Sequence, residues 1–317
     1  MTKSTFSEQN IIDLFSSKLN KGLLGDDAVT IKHQDSMITI SQDTLNDGVH
    51  FDLSFCGPKD IAHRALCANI SDMAAMGLTG THLLQSLSLP PSMDMSWIKS
   101  YANEFSKLCQ DNQLTLIGGD TCRANHLSIT LTLFHFGNPS PTLSRQGALP
   151  GDSIFISKPV GGSYLGLNAL KQNKRIDTHF INAYLRPNHD VQLGQKLLSS
   201  QWVHACMDIT DGLTQDLARI CQLNQVSADI NIDSIPEHTG FDQACHALQL
   251  NPPEVKMIGG EDYALLVIGS KTLAEASNLS LYEIGKITES NNEPLIRYYH
   301  KNKIFKPTSY GFHHFDQ

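Results

Sequence analysis

The sequence predicts an α/β protein of the α+β type, built from two αβ domains, and three observations support this fold class. Segments that alternate like strands are interspersed with segments of helical periodicity along the chain. A chain of 317 residues with 40% hydrophobic content can bury two ordinary cores. A short linker at 138–141, containing two prolines, separates the two halves. We therefore expect domains at 1–138 and 147–317.

The first half contains alternating helices and strands that end near Gly137. We predict helices over 6–19, 59–76 and 94–112, and strands over 36–43, 113–117 and 127–136. Proline favours the first turn of a helix and glycine the position after its end, so Pro58 and Gly77 delimit the second helix. A glycine turn at 22–27 separates the first helix from the first strand.

The second half begins with a turn and a strand, and helices then dominate. Its predicted elements are a turn at 150–151, a strand ending at Ile156, helices over 164–172 and 190–200, a helix that begins after Gly212, and a strand over 264–268. Together they form a second αβ unit.

Composition and charge exclude several classes of function. The chain has 32 acidic and 24 basic residues and a net charge of -8, which disfavours binding to nucleic acids or anionic membranes. The N-terminus contains no apolar signal core and no apolar run reaches membrane-spanning length, so we expect a cytoplasmic protein. The seven cysteines are scattered without a Cys-x-x-Cys pair, which indicates reduced thiols.

Asp72 is unusual in the predicted helix over 59–76 because its neighbours on one face are small. Helical spacing places five residues on this face: Ala65, Ala68, Asn69, Asp72 and Ala75. A carboxylate there is costly to bury unless a cation neutralises it. Taken alone, Asp72 is compatible with a solvated surface position or with a metal ligand.

Five further motifs couple Asp or Glu to Gly, Ser or Thr. They are Gly25-Asp26-Asp27, Ser41-Gln42-Asp43-Thr44, Gly118-Gly119-Asp120-Thr121, Asp208-Ile209-Thr210-Asp211-Gly212 and Gly259-Gly260-Glu261-Asp262. Each could be a turn or a helix cap. Together they favour a site in which oxygen ligands hold several Mg²⁺ ions against phosphate groups. The chain has no GxxxxGK[ST] motif, so metal ions would meet most of the charge of a bound nucleotide.

The strand over 36–43 predicts which side chains reach this site. Alternation places Thr39, Ser41 and Asp43 on one face and points Gln42 to the other. Ser41 and Asp43 can therefore supply side-chain oxygens, whereas Gln42 would contribute only its backbone.

The order and approximate spacing of these motifs resemble the thiamine-monophosphate kinase family. The resemblance runs from about residue 6 to Phe315 and includes four further stretches: Asp43-Thr44-Leu45, Gly48-Val49-His50-Phe51, Asn69 to Gly77, and Leu143-Ser144-Arg145. It implies a homodimer of the aminoimidazole-ribonucleotide-synthetase-like superfamily, in which a mixed N-terminal sheet serves dimerisation and the active site lies between the domains. The implied reaction is direct in-line transfer of phosphate from ATP, the co-substrate, to thiamine monophosphate, assisted by several Mg²⁺ ions.

The resemblance also implies a role for each matched residue. The implied metal ligands are Asp27, Ser41, Gln42, Asp43, Asp72, Asp120, Asp208 and Asp211. The implied nucleotide contacts are Gly119, Asp120, Arg145 and Thr210, and the implied contacts to thiamine monophosphate are His50, Glu261 and Phe312. The residues expected to matter most for catalysis are Asp72, Asp120, Arg145 and Asp211.

Two alternatives remain open. One is another ATP-dependent synthetase of the same superfamily, such as selenophosphate synthetase, although no cysteine precedes Cys56 where that enzyme usually has a reactive residue. The other is a catalytically silent nucleotide-binding scaffold like a hydrogenase-maturation protein, although the C-terminal cysteine typical of that relative is absent.

Overall fold

The computed structural model describes residues 8–18, 25–137, 141–273, 279–290, 293–309 and 311–312. This part of the chain forms two β-sheets with packed helices, one on each side of the predicted linker. The predicted two-domain α/β fold is therefore confirmed. Residues 138–140 of the linker lie outside the described residues, and the domain limits at 1–138 and 147–317 stay a prediction.

The first half forms a mixed five-stranded sheet with the order β1-β2-β5-β3-β4. Its elements are α1 Glu8–Lys18, β1 Val29–His33, β2 Ser36–Asn46, α2 Pro58–Ala75, β3 His82–Leu89, α3 Met95–Asp111, β4 Thr115–Arg123 and β5 Ser128–Gly137. Strands β3 and β4 pair in parallel, and the other described neighbours pair antiparallel.

Strand β4 is longer than the predicted strand over 113–117, because it continues through Gly118-Gly119-Asp120. Gly119 makes this continuation possible. Its φ is +155°, and a Cβ atom there would lie 1.8 Å from the carbonyl oxygen of Gln85 on β3. These residues therefore belong to an edge strand and do not form a turn after it.

The second half forms a seven-stranded sheet with the order β12-β11-β8-β10-β6-β9-β7. Its elements are β6 Ser153–Ile156, α4 Gly162–Gln172, α5 Thr178–Leu185, α6 Val191–Leu198, β7 Val203–Ile209, α7 Leu213–Asn224, β8 Val226–Asn231, α8 Phe241–Leu248, α9 Pro252–Ile258, β9 Ala264–Gly269, β10 Tyr282–Glu289, β11 Ile296–His300 and β12 Lys303–Phe305. Every residue of β6 and β9 is buried, because both are interior strands.

Helix α2 joins the two halves. It packs on β2, β5 and α3 from the first half and on α5, α6 and β7 from the second. Thirteen of its eighteen residues are buried, so the helix is covered on several sides and not only on the face that contains Asp72. Small side chains allow this close packing on several sides. As predicted for one face, Ala68 and Asp72 are directed to a common cavity.

Three further features concern the core, the cysteines and the helices. Tyr101 of α3 is buried between the rings of Trp97 and Phe105, with ring centroids 5.7 and 5.6 Å away, so it is a core residue. All seven cysteines lie in the described part of the chain and none forms a disulfide. Among the described helices, none combines the length and apolar character needed to cross a lipid bilayer.

Candidate active site between the two domains

A cavity of about 1110 Å³ lies between the two halves of the chain. Residues from the first half that line it come from the segment before β1, from β2, from the loop after β2 and from α2. The second half contributes residues after β7, on α4 and α7, and in the turn before β9. The cavity is thus the cleft that the sequence predicted.

Three carboxylates converge at one end of this cavity. Asp27 precedes β1, Asp72 lies on α2 and Asp208 lies near the end of β7, and each offers an oxygen atom within 4.8 Å of the others. The Oδ2 atom of Asp208 accepts a hydrogen bond of 2.5 Å from the Ser71 hydroxyl. The Oδ2 atom of Asp27 is buried without a hydrogen-bond partner among the described residues. We call Asp27, Asp72 and Asp208 the acidic cluster.

Burial raises the pKa values of all three carboxylates of the acidic cluster, and repulsion within the cluster adds to it for Asp72 and Asp208. Burial is the largest cause for Asp72 and lifts its pKa well above the ordinary value, and the charges of Asp43, Asp208 and Asp27 add to the effect. The pKa of Asp208 is raised in the same way by burial and then by Asp27. Burial also raises the pKa of Asp27, against the opposing charge of Arg145.

The acidic cluster fits a divalent cation. Carboxylate oxygens are the ligands that Mg²⁺ prefers, the three carboxylates each offer an oxygen within 4.8 Å of the others, and one oxygen of Asp27 is buried without a hydrogen-bond partner among the described residues. A cation there would remove the repulsion that raises the pKa values. Asp43 also lines the cavity and lies close enough to Asp72 to affect its pKa.

Arg145 supplies positive charge beside the acidic cluster. Its NH2 group donates a hydrogen bond of 2.5 Å to Oδ1 of Asp27, and its backbone N–H donates one of 3.1 Å to Oδ1 of Asp26. The Asp27 charge, after the opposing effect of burial, raises the pKa of Arg145, so the guanidinium stays charged. Arg145 therefore sets a fixed cation next to a candidate metal site.

Asp216 organises the loop after β7, and sequence reasoning missed it. Its Oδ2 atom accepts hydrogen bonds of 2.9, 3.1 and 3.2 Å from the backbone N–H groups of Thr210, Asp211 and Gly212. Its Oδ1 atom accepts one of 2.8 Å from Arg219, which also donates one of 2.6 Å to Asp211. An acidic residue in the first turn of α7 was the available signal.

Most predicted site residues line the cavity: Asp27, Gln42, Asp43, His50, Asp72, Arg145, Asp208, Thr210, Asp211, Glu261 and Phe312. Ser41 lies just beneath the wall and is buried, with its Oγ atom 3.5 Å from the carbonyl oxygen of Asn69. Gln42 is exposed, and its Oε1 atom accepts a hydrogen bond of 3.0 Å from Thr132. Ser41 and Gln42 therefore point to opposite faces of β2, as alternation predicted.

Asp120 and Gly119 are not brought into the cleft of their own chain. Strand register aligns Asp120 with Ser86, Thr130 and Thr44 in turn, so three strand spacings, roughly 14 Å, separate it from β2. The same alternation directs Asp120 and Asp43 to opposite faces of the sheet. Asp120 and Asp43 therefore do not meet within one chain, because β4 is the exposed edge strand, and the metal-ligand role of Asp120 stays a prediction.

His50, Glu261 and Phe312 also line the cavity. Phe312 is 43% exposed and its backbone N–H donates a hydrogen bond of 3.0 Å to the carbonyl oxygen of Asp211. Glu261 forms an ion pair with Arg64, a residue of α2 that sequence reasoning also missed. The signal was present, since Arg64 is a charged residue in the same small apolar helix that singled out Asp72.

Comparisons with known proteins identify the family of this chain. Family models described as AIR synthase related protein match residues 25–138 with the N-terminal domain and residues 150–296 with the C-terminal domain. A thiamine-monophosphate kinase of Buchnera aphidicola subsp. Schizaphis graminum is 33% identical, over 92% of this chain and 92% of its own.

Solved structures agree with the sequence relatives. One described as AaThiL complexed with AMPPCP and TMP has a TM-score of 0.87 at 27% identity and covers 99% of both chains. The thiamine monophosphate kinase from Aquifex aeolicus has a TM-score of 0.83 at 27% identity, over 97% of this chain and 100% of its own. By sequence and by structure, this chain belongs to the thiamine-monophosphate kinase family of AIR synthase related proteins.

Proposed function

We propose that this protein transfers the terminal phosphate of ATP to thiamine monophosphate and releases ADP and thiamine diphosphate. The observation behind the proposal is the convergence of the acidic cluster and Arg145 at one end of an interdomain cavity of about 1110 Å³. Ligand pockets have about 300–1000 Å³, so this cavity lies just above the upper end of that range. A structurally similar relative is described in complex with AMPPCP, an ATP analogue, and TMP.

The transfer is proposed to be direct and in line. A phosphate oxygen of thiamine monophosphate attacks the terminal phosphorus of ATP as the bond to the ADP oxygen breaks, so the enzyme needs alignment and charge neutralisation most. Arg145 would contact the transferred phosphate or its neighbour, because its guanidinium is fixed at the acidic cluster. Thr210 and Asp211 would position the nucleotide from a loop that Asp216 holds.

Several Mg²⁺ ions are proposed to lie between the carboxylates and the phosphates. Asp27, Asp72 and Asp208 would hold them, with Asp43 and Asp211 as further ligands on the cavity wall. Bound Mg²⁺ would neutralise charge on the phosphate groups and so lower the barrier to transfer. On another part of the cavity wall, Glu261 and Phe312 would contact the thiamine moiety, the carboxylate as an acceptor and the ring by stacking.

We further propose that the protein is a homodimer formed through the five-stranded sheet. Every residue of edge strand β4 is exposed, including Leu116 and Ile117, which are 52% and 54% accessible. A long exposed edge with apolar side chains favours pairing with another chain. In a two-fold dimer, β4 of one copy would bring Gly119 and Asp120 to the cleft of the other copy, where they would contact the bound nucleotide.

A direct assay tests the proposed reaction. Purified protein is incubated with ATP, Mg²⁺ and thiamine monophosphate, and thiamine diphosphate is quantified by chromatography. We expect diphosphate to form only when all three components are present. ATP binding without diphosphate would contradict the proposal and support the silent-scaffold alternative.

Subunit complementation tests the proposed dimer. Asp72→Asn and Asp120→Asn are each expected to be inactive, and the two variants are then unfolded, mixed in equal amounts and refolded together. If Asp120 serves the partner's site, half of the dimers are mixed and each has one intact site, so about a quarter of the wild-type activity returns. If both residues act in one chain, no activity returns.

A further inference from the structure

Arg64 is a buried cation that connects both halves of the chain about 12 Å along α2 from Asp72, since eight residues separate the two. It is 0% exposed, yet it lies on α2 within reach of three different segments. Its NH1 group donates a hydrogen bond of 2.6 Å to the carbonyl oxygen of Tyr184, and its NH2 group donates one of 2.7 Å to that of His50. NH2 also donates to Oε1 of Glu261 in a short hydrogen bond.

The aromatic ring of Tyr184 completes the Arg64 environment. The guanidinium carbon lies 4.0 Å from the ring centroid, and the Tyr184 hydroxyl donates a hydrogen bond of 3.3 Å to the His50 carbonyl. A planar guanidinium can donate to carbonyls and a carboxylate while it stacks on a ring, which an ammonium group cannot do. The segment containing His50, helix α5 and the turn before β9 are thus fixed relative to one another.

Glu261 has a backbone conformation that requires support. Its φ is +60°, in the left-handed region that side chains other than glycine rarely adopt. Its N–H donates a hydrogen bond of 2.8 Å to the carbonyl oxygen of Thr210, and 27% of its side chain is exposed to the cavity. Strained residues that persist in a cleft are typical of functional positions.

We propose that Arg64 is a positioning residue for the acceptor substrate: it fixes Glu261 and the His50 segment so that the cavity recognises the heteroaromatic part of thiamine monophosphate. This inference rests on the proposed function. One guanidinium nitrogen contacts two of the three predicted acceptor-binding residues, His50 and Glu261, which a purely structural link between domains would not require. Because Oε1 is held by Arg64, Glu261 meets the substrate in a fixed orientation with its charge already paired.

A double-mutant cycle in ligand binding tests this role. Thiamine monophosphate is titrated by calorimetry into wild type, Arg64→Lys, Glu261→Gln and the double variant, and AMPPCP is titrated into the same proteins. We expect Arg64→Lys to weaken thiamine monophosphate binding about tenfold, because lysine keeps the charge but loses the planar fork. The change should be absent in the Glu261→Gln background, and AMPPCP binding should stay within about twofold.

Arg186→Lys is the matched control. Arg186 donates a hydrogen bond of 2.8 Å to Asp60, so it also joins α2 to the second half, but it contacts neither Glu261 nor His50. Its replacement should leave both dissociation constants unchanged. If Arg64→Lys does not fold, Tyr184→Phe replaces it in the cycle, since it removes the hydroxyl on the His50 carbonyl while keeping the ring under Arg64.

Each outcome decides between the two proposals. Effects of Arg64→Lys and Glu261→Gln that multiply, or an equal loss of AMPPCP binding, would overturn the positioning role. Wild-type protein that binds thiamine monophosphate but forms no diphosphate would overturn the proposed function. The double-mutant cycle in binding would still test whether Arg64 positions Glu261. Wild-type protein that does not bind thiamine monophosphate would overturn both.

Discussion

The two ends of the cleft balance their charges in different ways. At the acidic cluster, one buried carboxylate, Asp208, and two half-buried ones, Asp27 and Asp72, have Arg145 as a cationic partner, and that arginine contacts Asp27 directly. At the other end, one carboxylate, Glu261, is paired with one buried cation, Arg64. The acidic cluster therefore has excess negative charge that an added cation can neutralise, whereas the Arg64–Glu261 pair is neutral without any ligand.

This difference indicates two separate tasks. Like charges that lie close together away from water destabilise the folded chain until a cation binds. The acidic cluster should therefore lower the stability of the metal-free protein and raise its affinity for metal ions. A buried ion pair costs desolvation but is specific in its geometry, and losing one partner leaves an uncompensated charge. Replacement of a carboxylate by its amide should consequently raise the free energy of unfolding at the acidic cluster and lower it at Glu261.

The largest expected effect comes from Asp72→Asn. Turnover should fall by at least about 10²-fold, because the active site loses a carboxylate that would hold Mg²⁺ against the transferred phosphate. In metal-free buffer, the free energy of unfolding should rise by about 1 kcal/mol, because one of three repelling charges is removed. Thermal unfolding without Mg²⁺ measures the gain in stability. The same measurement with Mg²⁺ shows how much of the Mg²⁺-induced stabilisation is lost.

Asp152→Asn is the control for this substitution. Asp152 is also buried, but it accepts hydrogen bonds from Leu149 and His204 at 2.8 and 2.9 Å, away from the cleft. Its variant should lose stability and keep the wild-type response to Mg²⁺. An Asp72→Asn protein that is less stable than wild type without metal would show that the acidic cluster is not repulsive.

Glu261→Gln should change stability in the opposite direction. The amide leaves the Arg64 charge buried with two carbonyls and a ring, so the free energy of unfolding should fall by about 1–3 kcal/mol, less than for a fully buried pair because Glu261 is 27% exposed. Urea unfolding in metal-free buffer gives this value.

Glu237→Gln is the matched control for Glu261→Gln. Glu237 pairs with the nearly buried Lys256 at 2.7 Å, with 46% of its own side chain exposed. It should also lower stability, without affecting the binding of thiamine monophosphate. A Glu261→Gln variant as stable as wild type would contradict the contrast between the two ends.

The sequence predicted the acidic cluster well because each aspartate is marked locally by Gly, Ser or Thr. Asp27, Asp43, Asp72, Asp208 and Asp211 all reach one cavity as expected. The position of Asp120 could not be read in this way, because it depends on which strand forms the edge of a sheet. Arg64 was missed for a related reason, since its partners lie 120 and 197 residues away along the chain.

The fold shows the same limit on sequence patterns. Strand β9 was predicted from the apolar run at 264–268, and all six of its residues are buried in the structure. Strand β10 was not predicted, because only Ile284 and Ile287 are buried and their spacing of three resembles a helix. A register shift between Glu283 and Gly285 interrupts the alternation that would have identified it. Irregular pairing conceals a strand from any periodicity argument.

The smallest expected effect comes from Arg219→Gln, which changes the charge balance only at the margin of the acidic end. Arg219 is 30% exposed and pairs with Asp211 at 2.6 Å and Asp216 at 2.8 Å, so stability should fall by no more than about 1 kcal/mol. Removing its charge leaves Asp211 more available to a cation, so half-maximal turnover should need about two- to threefold less Mg²⁺.

Arg297→Gln is the control for Arg219→Gln, because Arg297 pairs with Asp229 at 2.5 Å on the second sheet and is 41% exposed. Its variant should keep the wild-type Mg²⁺ midpoint. A Mg²⁺ titration of turnover compares the three proteins. If Arg219→Gln instead needs more Mg²⁺ for half-maximal turnover, then Arg219 contacts the phosphates directly. The acidic end would then have a second cationic side chain besides Arg145, and its excess negative charge relative to the Arg64–Glu261 pair would be smaller.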